Sequence, residues 1–252
     1  RLAEQLVDDG CDGLVVCGTT GEYSTMTDQE NLSVFRAVKD AVGGRVPLLA
    51  GTGSNDTEHS RFLCLEAQKI GMDGLLIVTP YYNKPSQAGV EAHFRSLADS
   101  VDTPVMVYDI PGRSGIPIEP ETMISLASHP NIVAVKDAKA DFMAAARVMA
   151  ETDLLFYSGD DGLTLPWMAI GAAGLVARPG PLRLSGRGPR RRHRGPHRPP
   201  FVAGRAAPRR RRLRHVAHGC RHPRAPRPAG RHGHGQQRRV GPGEAADADA
   251  LR

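Results

Sequence analysis

Residues 104–115 read PVMVYDIPGRSG and residues 132–138 read IVAVKDA. Each opens as a short, largely β-branched apolar run and ends on a chemically active side chain, Tyr108 in one and Lys136 in the other. Nearly continuous hydrophobicity, rather than alternation, marks a strand covered on both faces, as in a parallel sheet. Similar runs recur at residues 13–16, 47–50, 74–78 and 154–157, with a stub at 174–176. Helix punctuation lies between them. Thr27 and Glu30 have capping-box spacing ahead of Leu32, Val34 and Phe35, and Gly43-Gly44 stops that helix. Asn55 and Glu58 repeat the spacing before Phe62, Leu63, Leu65 and Ile70, with Gly71 as the stop. Pro120 holds a first-turn position before Met123, Ile124 and Leu126. Strand and helix therefore alternate, and the domain is parallel α/β.

An open doubly wound sheet gathers polar chemistry at the few strand ends where its strand order reverses. Here nearly every run ends in hydrogen-bonding or reactive residues: GTTGE at 18–22, Thr52, Thr79 before Tyr81-Tyr82, Tyr108, Lys136, and Ser158-Gly159. So many ends aimed at one place imply a ring, so the expected fold is a (β/α)8 TIM barrel. Six strands and a stub are legible. Leu2, Leu6 and Val7 already stand at helical spacing, so the first strand is expected upstream of Arg1 and the eighth is cut after Val176. Residues 1–176 then form a partial, incomplete barrel as the catalytic domain.

Charge divides the chain at the same place. The formal net charge of +6 hides 12 Lys+Arg against 24 Asp+Glu up to Val176, and 21 Arg, no Lys and 3 acids after it. The larger part is acidic, which excludes a uniformly basic nucleic-acid-binding globule. No run of about 18 apolar residues suggests a membrane span, and no basic start followed by an apolar stretch marks a signal peptide. Residues 177–252 carry 11 Pro, 11 Gly and 7 His but no Ile, Met, Asn, Thr, Tyr or Trp. So little apolar surface cannot offset the entropy of ordering. The absent residues are largely those of A/T-containing codons, and the abundant ones are what GC-rich codons yield in any frame. The expected origin of this basic, low-complexity tail is a frame shift near Val176, with a genuine disordered tail as the alternative. Such a tail binds nucleic acid non-specifically through counterion release, and Phe201 alone offers no stacking platform. Cys11, Cys17, Cys64 and Cys220 lack metal or redox spacing and read as the reduced thiols of a cytoplasmic protein. His215, His218, Cys220 and His222 imitate a metal set without a scaffold to orient it, and no metal is expected.

Lys136 is the sharpest feature. A lysine closing an apolar strand is desolvated, which lowers its pKa, and a neutral amine attacks carbonyls to form Schiff bases. An ordinary reading, a lysine snorkelling from a strand end, competes when the residue is taken alone. Tyr108 ends the preceding strand, so a barrel sets its phenol beside that amine as a proton relay. The loop Gly18-Thr19-Thr20-Gly21-Glu22 offers hydroxyls and backbone N–H groups to a small carboxylate. Arg113 is suited to grip a second carboxylate bidentately.

Together GTTGE at 18–22, VTPYYNKP at 78–85, YDIPGRSG at 108–115, VAVKDA at 133–138 and SGDD at 158–161 resemble the dihydrodipicolinate synthases. These are pyruvate-dependent class I aldolases of lysine and diaminopimelate biosynthesis. The resemblance runs from Leu2 to Val176 and implies a lyase that condenses pyruvate with aspartate semialdehyde, without metal or organic cofactor. It implies that Lys136 forms the pyruvate imine and that Tyr108, Thr19 and Tyr82 relay protons, Tyr82 reaching into a neighbouring subunit of a homotetramer. Thr20 matches the ligand of the pyruvate carboxylate, Arg113 that of the semialdehyde carboxylate, and Gly159 and Val176 positions lining the pocket. N-acetylneuraminate lyases and other sugar-acid aldolases share GTTGE and the lysine but do not usually carry Pro-Gly-Arg after the tyrosine, so Arg113 favours a short acidic aldehyde. An inactive, frame-shifted remnant is the remaining alternative.

Overall fold

The computed structural model describes residues 1–177. The expectations for the basic tail, its frame-shift origin and its hold on nucleic acid lie outside the described residues.

Seven strands form one all-parallel sheet whose spatial order follows the chain: β1 (Leu14–Val16), β2 (Leu48–Gly51), β3 (Gly74–Val78), β4 (Val105–Asp109), β5 (Ile132–Asp137), β6 (Leu155–Ser158) and β7 (Gly174–Leu175). Sequential order without reversal is that of a barrel, not of a doubly wound sheet. The fold is α/β, and among the described residues the barrel is incomplete, with β1 and β7 each paired on one side only.

Helices α1 (Leu2–Asp8), α2 (Asp28–Val42), α3 (Thr57–Ile70), α4 (Gln87–Ala98), α5 (Pro111–Ser114), α6 (Pro120–Leu126), α7 (Phe142–Glu151) and α8 (Thr164–Ala169) fill the connections. The capping box of α2 forms in both halves: Glu30 N donates to Thr27 Oγ1 at 3.3 Å and Thr27 N to Glu30 Oε2 at 2.7 Å. Pro120 opens α6 as expected, and Gly71 ends α3 with φ +83°. The cap of α3 differs from expectation. Asp56, not Asn55, accepts from the N–H groups of Glu58 and His59. A carboxylate one residue nearer the helix reaches the open donors, and Asn55 instead offers its carbonyl to Asn83 Nδ2. No helix among the described residues is long and apolar enough to cross a membrane.

Two apolar layers flank the sheet. The larger lies between strands and helices and contains the fully buried Phe35, Leu75, Ile77, Phe94, Leu97, Leu126 and Trp167. Burying such side chains contributes roughly 1.5–3 kcal/mol each. Trp167 anchors α8, its ring 4.9 Å from Phe142 and 6.1 Å from Phe156. The smaller layer, on the opposite face, gathers Leu49, Leu76, Val78, Met106, Tyr108, Ala134 and Tyr157. Strands β3 and β4 alternate strictly between the two. In β5 the alternation breaks: Val105 opposes Ile132, but Met106 opposes Ala134, leaving Val133 as an extra residue. This bulge places both Ile132 and Val135 on the helix side and brings Lys136 level with Tyr108 and Tyr157.

Candidate active site

The strand carboxyl ends converge on Lys136. It is half-buried, and its Nζ stands over the face of the Tyr108 ring, 4.1 Å from the centroid. Burial is the main cause that lowers its pKa, to about 8; the Arg113 charge lowers it further and Asp161 opposes. At that value an appreciable fraction is neutral near physiological pH, as a nucleophilic amine requires. Tyr108 is 7% exposed, and burial raises its phenol's pKa against the opposing pull of Arg113. The expected neighbourhood of amine and phenol is present, although the amine meets the ring face, a cation–π geometry.

The GTTGE loop sits beside this pair. Residues Thr19–Gly21 form a 3-10 turn, and Glu22 follows with φ +57°. Gly21 N and Glu22 N bond back to Gly18 O and Thr19 O, so the turn's open N-terminal end belongs to Thr19 and Thr20, whose side chains are exposed. Thr19 shares a small cleft with Tyr23, Val78 and Tyr108. The loop is bolted down behind: Tyr23 Oη donates to Gly53 O at 2.7 Å. Gly53 is required by packing, since a Cβ there would lie 2.4 Å from Val78 N.

Arg113 projects from the exposed side of α5, close enough for its charge to act on both Lys136 and Tyr108. Gly159 N donates to Asp137 O at 2.7 Å, and a Cβ on Gly159 would come within 3.0 Å of that oxygen. Val176 bonds to Ser158 O at 2.9 Å and packs on the smaller apolar layer. Tyr82, whose N–H donates to Ser114 O at 3.3 Å, has φ +71° and is 87% exposed. Among the described residues no group of three His, Cys, Asp or Glu is placed to hold a metal ion.

Sequence reasoning missed four residues. Tyr157 faces the same layer as Tyr108 and pairs in register with Lys136; its place before Ser158-Gly159 was a usable signal. Asp161 supplies the counter-charge to Lys136. Asp109 and Asp137, each next in sequence to a site residue, are buried on the reverse face. Asp28 Oδ1 lies 2.8 Å from His59 Nε2.

Fold and site together define a parallel α/β-barrel protein with a desolvated lysine stacked on a tyrosine at adjacent strand ends. Its sequence matches a known pattern over residues 1–178, and the chain belongs to the dihydrodipicolinate synthetase family. It is 58% identical over 177 residues to the 4-hydroxy-tetrahydrodipicolinate synthase of Mycobacterium leprae, a match covering 70% of this chain and 59% of that protein. With the same enzyme of Acidothermus cellulolyticus it shares 60% over 179 residues, 71% of this chain and 58% of the other. Among solved structures, a dihydrodipicolinate synthase of Bacillus anthracis superposes with TM-score 0.68 at 47% identity, covering 69% of this chain and 61% of that one. The Acinetobacter baumannii enzyme complexed with pyruvate gives TM-score 0.68 at 37% identity, covering 69% and 61%. The chain thus spans about three fifths of the length of the curated relatives it matches.

Proposed function

We propose that this chain carries the catalytic machinery of a 4-hydroxy-tetrahydrodipicolinate synthase, a lyase of lysine and diaminopimelate biosynthesis that condenses pyruvate with aspartate semialdehyde. The observation that carries the reading is the half-buried Lys136 amine, 4.1 Å over the Tyr108 ring, with its pKa drawn down to about 8. Neutral Lys136 attacks C2 of pyruvate; the carbinolamine loses water to give an imine, and loss of a C3 proton gives an enamine. Tyr108, with Thr19 and Tyr82, relays these protons. The enamine carbon adds to the aldehyde carbon, and the semialdehyde's own amine displaces Lys136, closing a ring and freeing the enzyme. Thr20 holds the pyruvate carboxylate and Arg113 that of the semialdehyde, while Gly159 and Val176 line the pocket. The imine itself is the electron sink, so the chemistry needs neither metal nor organic cofactor. The exposed Tyr82 suits a homotetramer in which it enters a neighbouring copy's site, and the reading places the enzyme in the cytoplasm.

Borohydride reduction in the presence of pyruvate tests this. The expected result is a mass increase confined to the peptide holding Lys136 and lost in Lys136→Ala. Tyr108→Phe should still be trapped but turn over about 10²-fold more slowly. Trapping that survives Lys136→Ala would sink the assignment.

A further inference from the structure

Directly behind the site, on the helix side of β4 and β5, lies a buried charge cluster that the proposed chemistry does not use. Asp109 follows Tyr108 and is 1% exposed. Its Oδ1 accepts from Ile118 N at 3.3 Å. Its Oδ2 has no hydrogen-bond partner and faces Lys139 Nζ at 3.5 Å, an ion-pair distance. Lys139 Nζ in turn donates to Ile118 O at 2.9 Å. Both backbone groups of one residue, Ile118, are therefore held by this pair. The Lys139 end is itself fixed: Asp137 Oδ1 accepts from Lys139 N at 2.8 Å and Ala140 N at 3.0 Å, and Ala138 N bonds to Asp109 O at 2.8 Å.

The segment between the clamped points is 110–118. It leaves the sheet after Asp109, carries Arg113 on α5, and returns to Ile118, whose side chain is fully buried. Ser114 Oγ ties its interior by bonding to Ile110 O and Ile116 O. Removing water from charged groups is costly unless their mutual attraction and further hydrogen bonds offset it. Two buried carboxylates around one lysine are a costly way to hold a loop, yet they fix it to the two strands that carry Tyr108 and Lys136. Burial lifts Asp109 to about 7 and raises Asp137 also, against the pull of Lys139 on each.

We propose that Asp109 and Lys139 are a positioning pair: they clamp Ile118, close 110–118 into a fixed loop, and so set the distance between the Arg113 guanidinium and Lys136. The pair then governs the grip on a carboxylated aldehyde rather than imine formation. This last step rests on the proposed function; the clamp itself does not.

The test uses the full chain with Lys139→Met, which keeps the stem but removes charge and donors, and Lys139→Arg as the conservative rescue. Hydrogen exchange should speed up by about tenfold or more in 110–118 while β3 is unchanged. Pyruvate trapping at Lys136 should stay within about twofold, while KM for aspartate semialdehyde rises about tenfold with a smaller change in kcat. Lys139→Arg should restore both exchange and KM. Unchanged exchange in 110–118, or trapping lost in step with aldehyde use, overturns the pair's role. If the parent chain does not trap pyruvate, the proposed function fails and the exchange result alone decides the clamp. Should Lys139→Met not fold, Asp109→Asn, which keeps an acceptor for Ile118 N, is read by the same exchange, and no acceleration there refutes the clamp.

Discussion

At the scale of single residues, the site is an exercise in opposing charges around one amine. Burial lowers the pKa of Lys136, Arg113 lowers it further, and Asp161 raises it. The neutral amine is the reactive form, so the rate of imine trapping should climb with pH and reach half its plateau near pH 8. The two neighbours should move that midpoint in opposite directions. Arg113→Met removes a repelling cation, stabilises the ammonium and shifts the midpoint up. Asp161→Asn removes an attracting anion and shifts it down. A pH–rate series on the two variants checks both signs, and a common direction would contradict the geometry. Sequence reasoning reached Lys136 and Tyr108 because each ends a legible run, and Arg113 because it follows closely in the same stretch. Asp161 escaped it, since its influence comes through space from the 3-10 turn after β6.

At the scale of elements, helix starts follow short-range rules wherever one residue dominates the donors. Thr27 and Glu30 cap α2 by the pattern their spacing predicts. In α3 the capping-box spacing points to Asn55, one residue too early. The bonds to Glu58 N and His59 N choose Asp56. Asp56→Ala should therefore cost about 1 kcal/mol of stability in a urea titration. Asn55→Ala, which keeps the carbonyl that Asn83 uses, should cost less than about 0.5 kcal/mol. A larger loss from Asn55→Ala would return the cap to Asn55. The bulge at Val133 is the more consequential detail. In unbroken alternation from Ile132, which faces the helices, Lys136 would face them too. The extra residue turns it to the side of Tyr108.

At the scale of the whole molecule, the sheet is held by one continuous layer under the helices, and its two end strands remain. Among the described residues β1 and β7 each leave one edge of N–H and C=O groups unpaired in the sheet. Beside β7, α8 presents Leu165 and Met168, 78% and 54% exposed. Open edges and an apolar patch together favour association. The full chain should therefore grow in mass with concentration in a sedimentation dilution series. Leu165→Lys with Met168→Lys should reduce that growth. A concentration-independent monomer would show the edges to be protected.

The parallel α/β class, the strand positions and the residues at their ends were determined by sequence alone, because burial on both faces leaves unmistakable apolar runs and reactive side chains stop them. Membership of the family was legible for the same reason: its motifs occupy those ends. Tertiary structure decided which way each end residue points. The Lys136 direction depends on one unpaired residue in β5, and the proposed setting of Arg113 on an ion pair between the end of β4 and the turn after β5, while Tyr82 is exposed on a loop with φ +71°. The first two are set by contacts between segments distant in sequence, which local periodicity does not encode.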